Sequence, residues 1–317
     1  MTTGAMPIHI EATGIGFVEG PLVLGDALLF CDLHQGVVKR LRSGETTIVY
    51  DAGGVPNGIA IGPDGMLYVA NNGGAMRWGQ EGDQLVSRGF EETGFDARID
   101  RVDLADGSIA RVLDKVDGRR FQAIDDLVFH PTAGFWFTDL GRDGERSRTY
   151  GGIYWSSLDG SDVREVAYPL VNGANGLGVS YDGRTLYATE YGAGRLWSWS
   201  IEAPGRLRLE DGQPHGGRLL WQAPDALLLD SLKVAPSGNI VIATQPVGVF
   251  SVISPEGRYL GAVDVPDSFP TNICFDPGDD TVAYATLART SRLARIEWDE
   301  THLGGANQSA TQTGGSE

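Results

Sequence analysis

Cysteine is scarce in this chain. Two residues, Cys31 and Cys274, are too few for a disulfide framework. Both lie in apolar runs, LLFCDL and NICFDP, where buried free thiols are expected. Positive charge is also short, with 25 Lys and Arg against 42 Asp and Glu and a net charge of −17 at pH 7. Nucleic acid and anionic membrane both recruit positive surface, so neither is an expected partner. No run of 18 apolar residues occurs, and the first residues, MTTGAMPIHIEATG, have neither a basic nor an apolar signal region. Together these absences predict a soluble, cytoplasmic protein. The five histidines, at 9, 34, 130, 215 and 302, follow no metal spacing. A G-x-S-x-G elbow, a phosphate loop and a dinucleotide fingerprint are all missing, which argues against a serine triad and against nucleotide chemistry. No long segment carries the 3.6-residue helical period, so the fold class is all-β.

What the chain does have is a repeat. Six units begin at Glu19, Asn57, Asp125, Asn175, Asp230 and Asn272: EGPLVLGDALLFCD, NGIAIGPDGMLYVAN, DDLVFHPTAGFWFTD, NGLGVSYDGRTLYATE, DSLKVAPSGNIVIAT and NICFDPGDDTVAYAT. Each runs from an oxygen-bearing side chain through an apolar strand to a turn, and ends in a second apolar strand. Five steps cover the 253 residues from Glu19 to Asn272, a mean period near 50. That is a propeller-blade period, and six blades fill residues 1–300 as one domain. Missing blades would expose sheet edges, so a closed six-bladed β-propeller is expected, with residues 8–15 pairing into the last blade. Residues 301–317, rich in Gly, Ser, Thr and Gln, read as a loose tail. The longest step, 68 residues from Asn57 to Asp125, carries its excess at 73–96, either an outer hairpin or a lid. The tryptophans at 136, 155 and 197 fall in strand runs and are expected to pack between blades.

Residues at one phase of a symmetric repeat converge on the axis. Six oxygen donors there form a hard-cation site; Ca²⁺ takes six to eight oxygens at about 2.3–2.6 Å. One divalent ion, Ca²⁺ first and Mg²⁺, Mn²⁺ or Zn²⁺ as alternatives, is the expected cofactor, although the lack of Cys and His donors weighs against Zn²⁺ and Cu²⁺. Six side chains cannot all bind one ion, so Asn57 and Asn272 are expected to orient ligands from behind. His34, just past LLFCDL, is a candidate for the channel mouth. The loop 140–150, with Arg142, Arg146 and Arg148, is placed to reach a ligand or to be plain solvated surface.

The units NGLGVSYDGRTLYATE and DDLVFHPTAGFWFTD, the early EGP and the pair Asp230-Ser231 resemble the gluconolactonase / senescence-marker-protein (regucalcin) family, whose architecture diisopropylfluorophosphatase shares. The likeness spans residues 15–295. It implies a propeller with one catalytic cation at the axis, held here by Glu19, Asn175 and Asp230, with Asp125 where many members carry an Asn. Asp126 follows as the usual second acidic residue, as a contact for substrate or for the ligands. The implied reaction is metal-assisted opening of a small-molecule lactone, with Asp230 as general base or nucleophile. Two departures stand out. Asp125 adds a third carboxylate, and Ala123 stands where sugar-lactone members often have Arg, which favours a less polar lactone. Two other readings use the same ring: a non-catalytic calcium-binding propeller, and a phosphotriester hydrolase.

Overall fold

The computed structural model describes residues 6–74, 76–82, 84–90, 96–144 and 146–303. It is a six-bladed β-propeller. The innermost strands are Val18–Leu24, Pro56–Ile61, Ile124–Phe129, Ala174–Val179, Leu228–Val234 and Pro270–Asp276. Each opens an antiparallel sheet that runs outward from the axis. The last sheet takes its outer strand from the other end of the chain: Ile8–Thr13 pairs with Arg292–Glu297. This closure leaves no blade interface open. Among the described residues the only helical elements are two 3₁₀ turns, Tyr191–Ala193 and Glu300–His302. No helix among them is long and apolar enough to cross a membrane. The tail beyond residue 303 lies outside the described residues.

Local chemistry explains the hairpins that carry each inner strand into its neighbour. At Asp64-Gly65 and Asp182-Gly183 the glycine adopts φ of 76° and 70°. The preceding carboxylate accepts from the backbone two residues on, Met66 N at 3.2 Å and Arg184 N at 3.0 Å. Asp fits there because its short side chain caps its own turn, and Gly because it has no Cβ to strain at positive φ.

The core lies between blades. Six apolar clusters fill the six seams, one per pair of neighbours. The second strands are therefore buried on both faces, as in Ala27–Asp32 and Ile240–Gln245. That is why they read as continuous apolar runs instead of alternating ones. Trp136, Trp155 and Trp197 all lie in the seam between the third and fourth blades. Cys31 and Cys274 are free and buried.

The excess at 73–96 forms a hairpin, Met76–Glu81 with Gln84–Phe90, as far as it is described. It leans from the second blade over the first and sixth. Trp78 packs on Phe17 at 5.2 Å and on His34 at 5.3 Å between ring centroids. Arg289 of the sixth blade reaches Gln84 Oε1 at 2.5 Å and Glu81 Oε2 at 2.7 Å.

Candidate functional site at the propeller axis

Each inner strand departs from regular pairing at its repeat-leading residue. Glu19 and Leu22 pair with Cys31 and Leu29, and Leu229 and Leu232 pair with Thr244 and Ile242. Three steps on the inner strand thus face two on its partner. The same one-residue surplus recurs at Asn57, Asp125 and Asn175, and a comparable slip precedes Asn272. A bulge re-aims a side chain and bends the strand. Here it occurs once per blade at the same height.

Small residues let the bulges approach one another. A Cβ on Gly20 would lie 2.3 Å from Asn57 O, and one on Gly58 would lie 2.4 Å from Asp126 Oδ1. A Cβ on Gly176 would lie 2.4 Å from Leu232 N. Each glycine follows a ring residue and meets the inner strand of the next blade. The N-G and E-G pairs in the sequence are therefore closure points of the ring.

Around the ring, carboxylates alternate with amides: Glu19, Asn57, Asp125, Asn175, Asp230, Asn272. Each amide donates to the carboxylate of the following blade. Asn57 Nδ2 reaches Asp125 Oδ2 at 3.0 Å, and Asn272 Nδ2 reaches Glu19 Oε2 at 2.8 Å. The Asn175 side chain is hydrogen-bonded to Asp230. Two chords cross the channel. Ser231 Oγ donates to Glu19 Oε1 at 3.0 Å, and Lys233 Nζ donates to Asp126 Oδ2 at 3.2 Å. Second-strand hydroxyls hold the ring from behind, Thr138 Oγ1 on Asn175 O at 2.6 Å and Thr189 Oγ1 on Asp230 O at 2.9 Å.

The charges are costly in this setting. Burial first, then the negative charge of Asp126, pushes the Glu19 carboxyl up to about 7, against the hydrogen bonds from Asn272 and Gly20. Asp125 and Asp230 are held well above the usual carboxylate range, again by burial and then, for Asp125, by the charge of Asp230 and, for Asp230, by that of Glu19. Like charges gathered in low dielectric disfavour ionisation. Asp230 is the most exposed of the six ring residues.

The other sequence candidates lie around this ring. Asp126 is buried, its Oδ1 accepting from Leu127 N at 2.8 Å and its Oδ2 from Lys233. His34 is exposed and turned onto Trp78 of the hairpin. Arg142 is buried near Asp139, Arg148 pairs with Asp143 at 2.6 Å, and Ala123 is fully buried. Ser231, Lys233, Thr138, Thr189, Tyr191 and Gln245 were not anticipated. The recurrent FTD, ATE and ATQ at the ends of the second strands were the available signal. Asn72 is a further surprise: it is buried, and among the described residues neither atom of its amide has a hydrogen-bond partner. Its N–H pairs with Val55 O at 2.9 Å, two residues before Asn57.

Comparison with known proteins agrees with this architecture. The model of the SMP-30/Gluconolactonase/LRE-like region matches residues 17–289. The chain belongs to that family. It is 24% identical over 303 residues to the gluconolactonase of Zymomonas mobilis, covering 87% of this chain and 78% of that one. It is 27% identical over 270 residues to lactonase drp35 of Staphylococcus saprophyticus, covering 80% and 72%. Among solved structures, a calcium-binding protein, regucalcin, from Agrobacterium tumefaciens superposes with a TM-score of 0.67 at 15% identity, over 92% of this chain and 93% of that one.

Whether this family member can hold a cation is tested by its bare oxygens. Among the described residues, no three carboxylates, imidazoles or thiolates stand at ligand spacing. What converges is a mixed set of carboxylate and amide oxygens. Asn57 Oδ1, Asp125 Oδ1 and Asn175 Oδ1 are buried, and among the described residues none accepts a hydrogen bond. Three orphaned acceptors on three successive blades, beside carboxylates strained by their own repulsion, make a donor set that fits a hard cation. The amide N–H groups are already spent on the carboxylates, so the amide oxygens are what remains to offer.

Proposed function

We propose that this protein opens lactones with a divalent cation, calcium, held at the propeller axis by Glu19, Asp125, Asn175 and Asp230. The three unpartnered ring oxygens carry the reading, together with membership of a family that includes named gluconolactonases and lactonases. When bound, the cation supplies positive charge that keeps the carboxylates ionised and polarises the lactone carbonyl. Asn57 Oδ1 offers a fifth oxygen. Asn272 serves from behind, because its Nδ2 is committed to Glu19 and its Oδ1 accepts from Ile273 N at 2.8 Å.

Asp230 is assigned the proton. It is the ring carboxylate most open to the channel, and its position is set by Asn175 and Gln245. As the water oxygen bonds the carbonyl carbon, its proton passes to the Asp230 carboxylate. As the ring C–O bond breaks, that proton passes to the departing oxygen, and a hydroxy acid leaves. Ala123, which is fully buried, presents no charged group to sugar hydroxyls, so aliphatic and aromatic lactones are the favoured substrates. Asn72, whose buried amide has no hydrogen-bond partner among the described residues, is a further candidate to hold an ester oxygen or a hydroxyl.

The test is a pH-stat screen of aldonolactones, aliphatic lactones and aromatic lactones with Ca²⁺ and with EDTA. Hydrolysis of apolar lactones that stops in EDTA is the expected result. Calcium binding with no hydrolysis in any class would make the protein a calcium-binding propeller. Phosphotriester cleavage without lactone cleavage would transfer the site to the other hydrolase reading.

A further inference from the structure

We infer that Gln245 is a positioning residue that fixes the Asp230 carboxylate, and that Tyr191 fixes Gln245. The inference rests on the role given to Asp230 above and extends it to residues outside the ring.

Gln245 is fully buried at the end of the second strand of the fifth blade. Both of its N–H groups are used. Nε2 donates to Asp230 Oδ2 at 2.6 Å and to Pro270 O, at the start of the sixth blade's inner strand, at 2.8 Å. Its Oε1 accepts from the Tyr191 hydroxyl, on the fourth blade, at 3.1 Å. The amide therefore has one workable orientation. Turned over, Oε1 would face a carboxylate and a carbonyl, both acceptors, and Nε2 would face the hydroxyl. One side chain thus ties three blades to a single carboxylate oxygen.

Comparison with the other blades isolates the role. In the second, third and fourth blades the residue paired opposite the one before the ring residue, Asn71, Asp139 or Glu190, bonds a backbone N–H of the loop that leads into the ring residue, at Val55, Ala123 and Asn172. These are structural anchors one step removed from the ring. In the fifth blade that place is held by Thr244, whose hydroxyl bonds Ile242 O and Ser251 Oγ instead. Gln245 lies one residue further on, and it bonds the ring side chain itself. The exception falls on the carboxylate assigned the proton, where a fixed plane matters most for transfer to and from a bound molecule.

The experiment compares wild type, Tyr191→Phe, Gln245→Leu, Gln245→Glu and the double variant Tyr191→Phe/Gln245→Leu. Three readouts are taken: lactone kcat and KM at saturating Ca²⁺, Ca²⁺ affinity by calorimetry, and the Asp230 rotamer in crystals of Gln245→Leu. The inference expects kcat to fall by at least about tenfold in Gln245→Leu with KM changed less than threefold. Gln245→Glu should fall further, because it sets a second carboxylate against Asp230. Tyr191→Phe should lose about two- to fivefold, and less than that when added to Gln245→Leu. In Gln245→Leu the Asp230 carboxylate should rotate away. If it keeps its rotamer, and kcat and Ca²⁺ affinity stay within twofold, the inference is wrong. Should wild type hydrolyse no lactone, the functional reading fails by itself; the rotamer and the Ca²⁺ affinity, expected to weaken about tenfold, still decide the role of Gln245.

Discussion

Replacing Gly176 by Ala tests fold and site together. The added methyl would stand 2.4 Å from Leu232 N and 2.6 Å from Ser231 Cα. Both atoms belong to the inner strand of the next blade, immediately after Asp230, so the methyl meets backbone and not a yielding side-chain tip. Comfortable contact begins at roughly 3.5 Å. The fourth and fifth blades must therefore separate by about 1 Å at ring height. Overpacking of this kind costs about 1–3 kcal/mol, or a few degrees of Tm for a domain of this size. The larger effect should be functional. The shift falls on the Asn175–Asp230 pair, and a misplacement of about 1 Å in a catalytic constellation costs on the order of 10² in rate. The expected result is a folded variant with Tm lowered by a few degrees, kcat/KM for a lactone down about 10², and weakened Ca²⁺ binding. Differential scanning calorimetry, a pH-stat assay and calcium titration read the three effects. Gly278→Ala is the control, since its Cβ would meet nothing closer than 3.4 Å and lies on an exposed turn. If Gly176→Ala matched that control in stability, activity and calcium binding, the claim that glycine sets the ring's closure would be refuted.

Other predictions concern the ring itself. Asp230→Asn keeps an oxygen but removes the proton acceptor, so kcat should fall by at least about 10² while calcium affinity weakens modestly; near-normal kcat at saturating calcium would move the base to Asp125. Glu19→Gln should mainly weaken cation binding, and excess calcium should restore part of its rate. Removing the cation with EDTA should lower Tm, since a ligand at a hundredfold excess over Kd stabilises the fold by about 2.7 kcal/mol; an unchanged Tm with metal content verified as nil would contradict this. In the metal-free protein, Glu19 titrates from its ordinary 4.5 up to about 7. A raised carboxyl favours the fold below 4.5, and that contribution is lost as pH rises toward 7, on the order of 3 kcal/mol at about 1.4 kcal/mol per pH unit. Urea unfolding of wild type and Glu19→Gln in EDTA between pH 4.5 and 7.5 should show wild type losing stability relative to the variant as pH rises. Parallel curves would count against the burial argument.

Much of the architecture was legible in the repeat. The blade period, the phase of the six oxygen-bearing residues and the closing strand at 8–15 all rest on local signals, and the structure shows each of them. A strand buried on both faces reads as a continuous apolar run, and two such runs joined by turn residues declare a hairpin wherever they are placed. Other features were not local. His34 lay next to a strand end of the first blade, and its ring packs on Trp78 of a hairpin that belongs to the second. Gln245 looked like one more strand residue. Its meaning depends on Tyr191 and Pro270, which come from two other blades.

The sequence by itself determined which residues share a height on the axis, because an oxygen-bearing side chain, Glu, Asn or Asp, recurs at one phase of a six-fold repeat. Only the tertiary structure decided how they pair. Asn272 bonds Glu19 across 253 residues of chain, and Ser231 bonds Glu19 across 212. Neither contact has a sequence signature, since both exist only once the sixth blade has closed against the first. The assembled ring spends amide N–H groups on the carboxylates and, among the described residues, leaves Asn57 Oδ1, Asp125 Oδ1 and Asn175 Oδ1 bare. A donor inventory can be read from a chain. Which atoms remain unpaired follows from which neighbours the fold supplies, and that is settled by long-range packing alone.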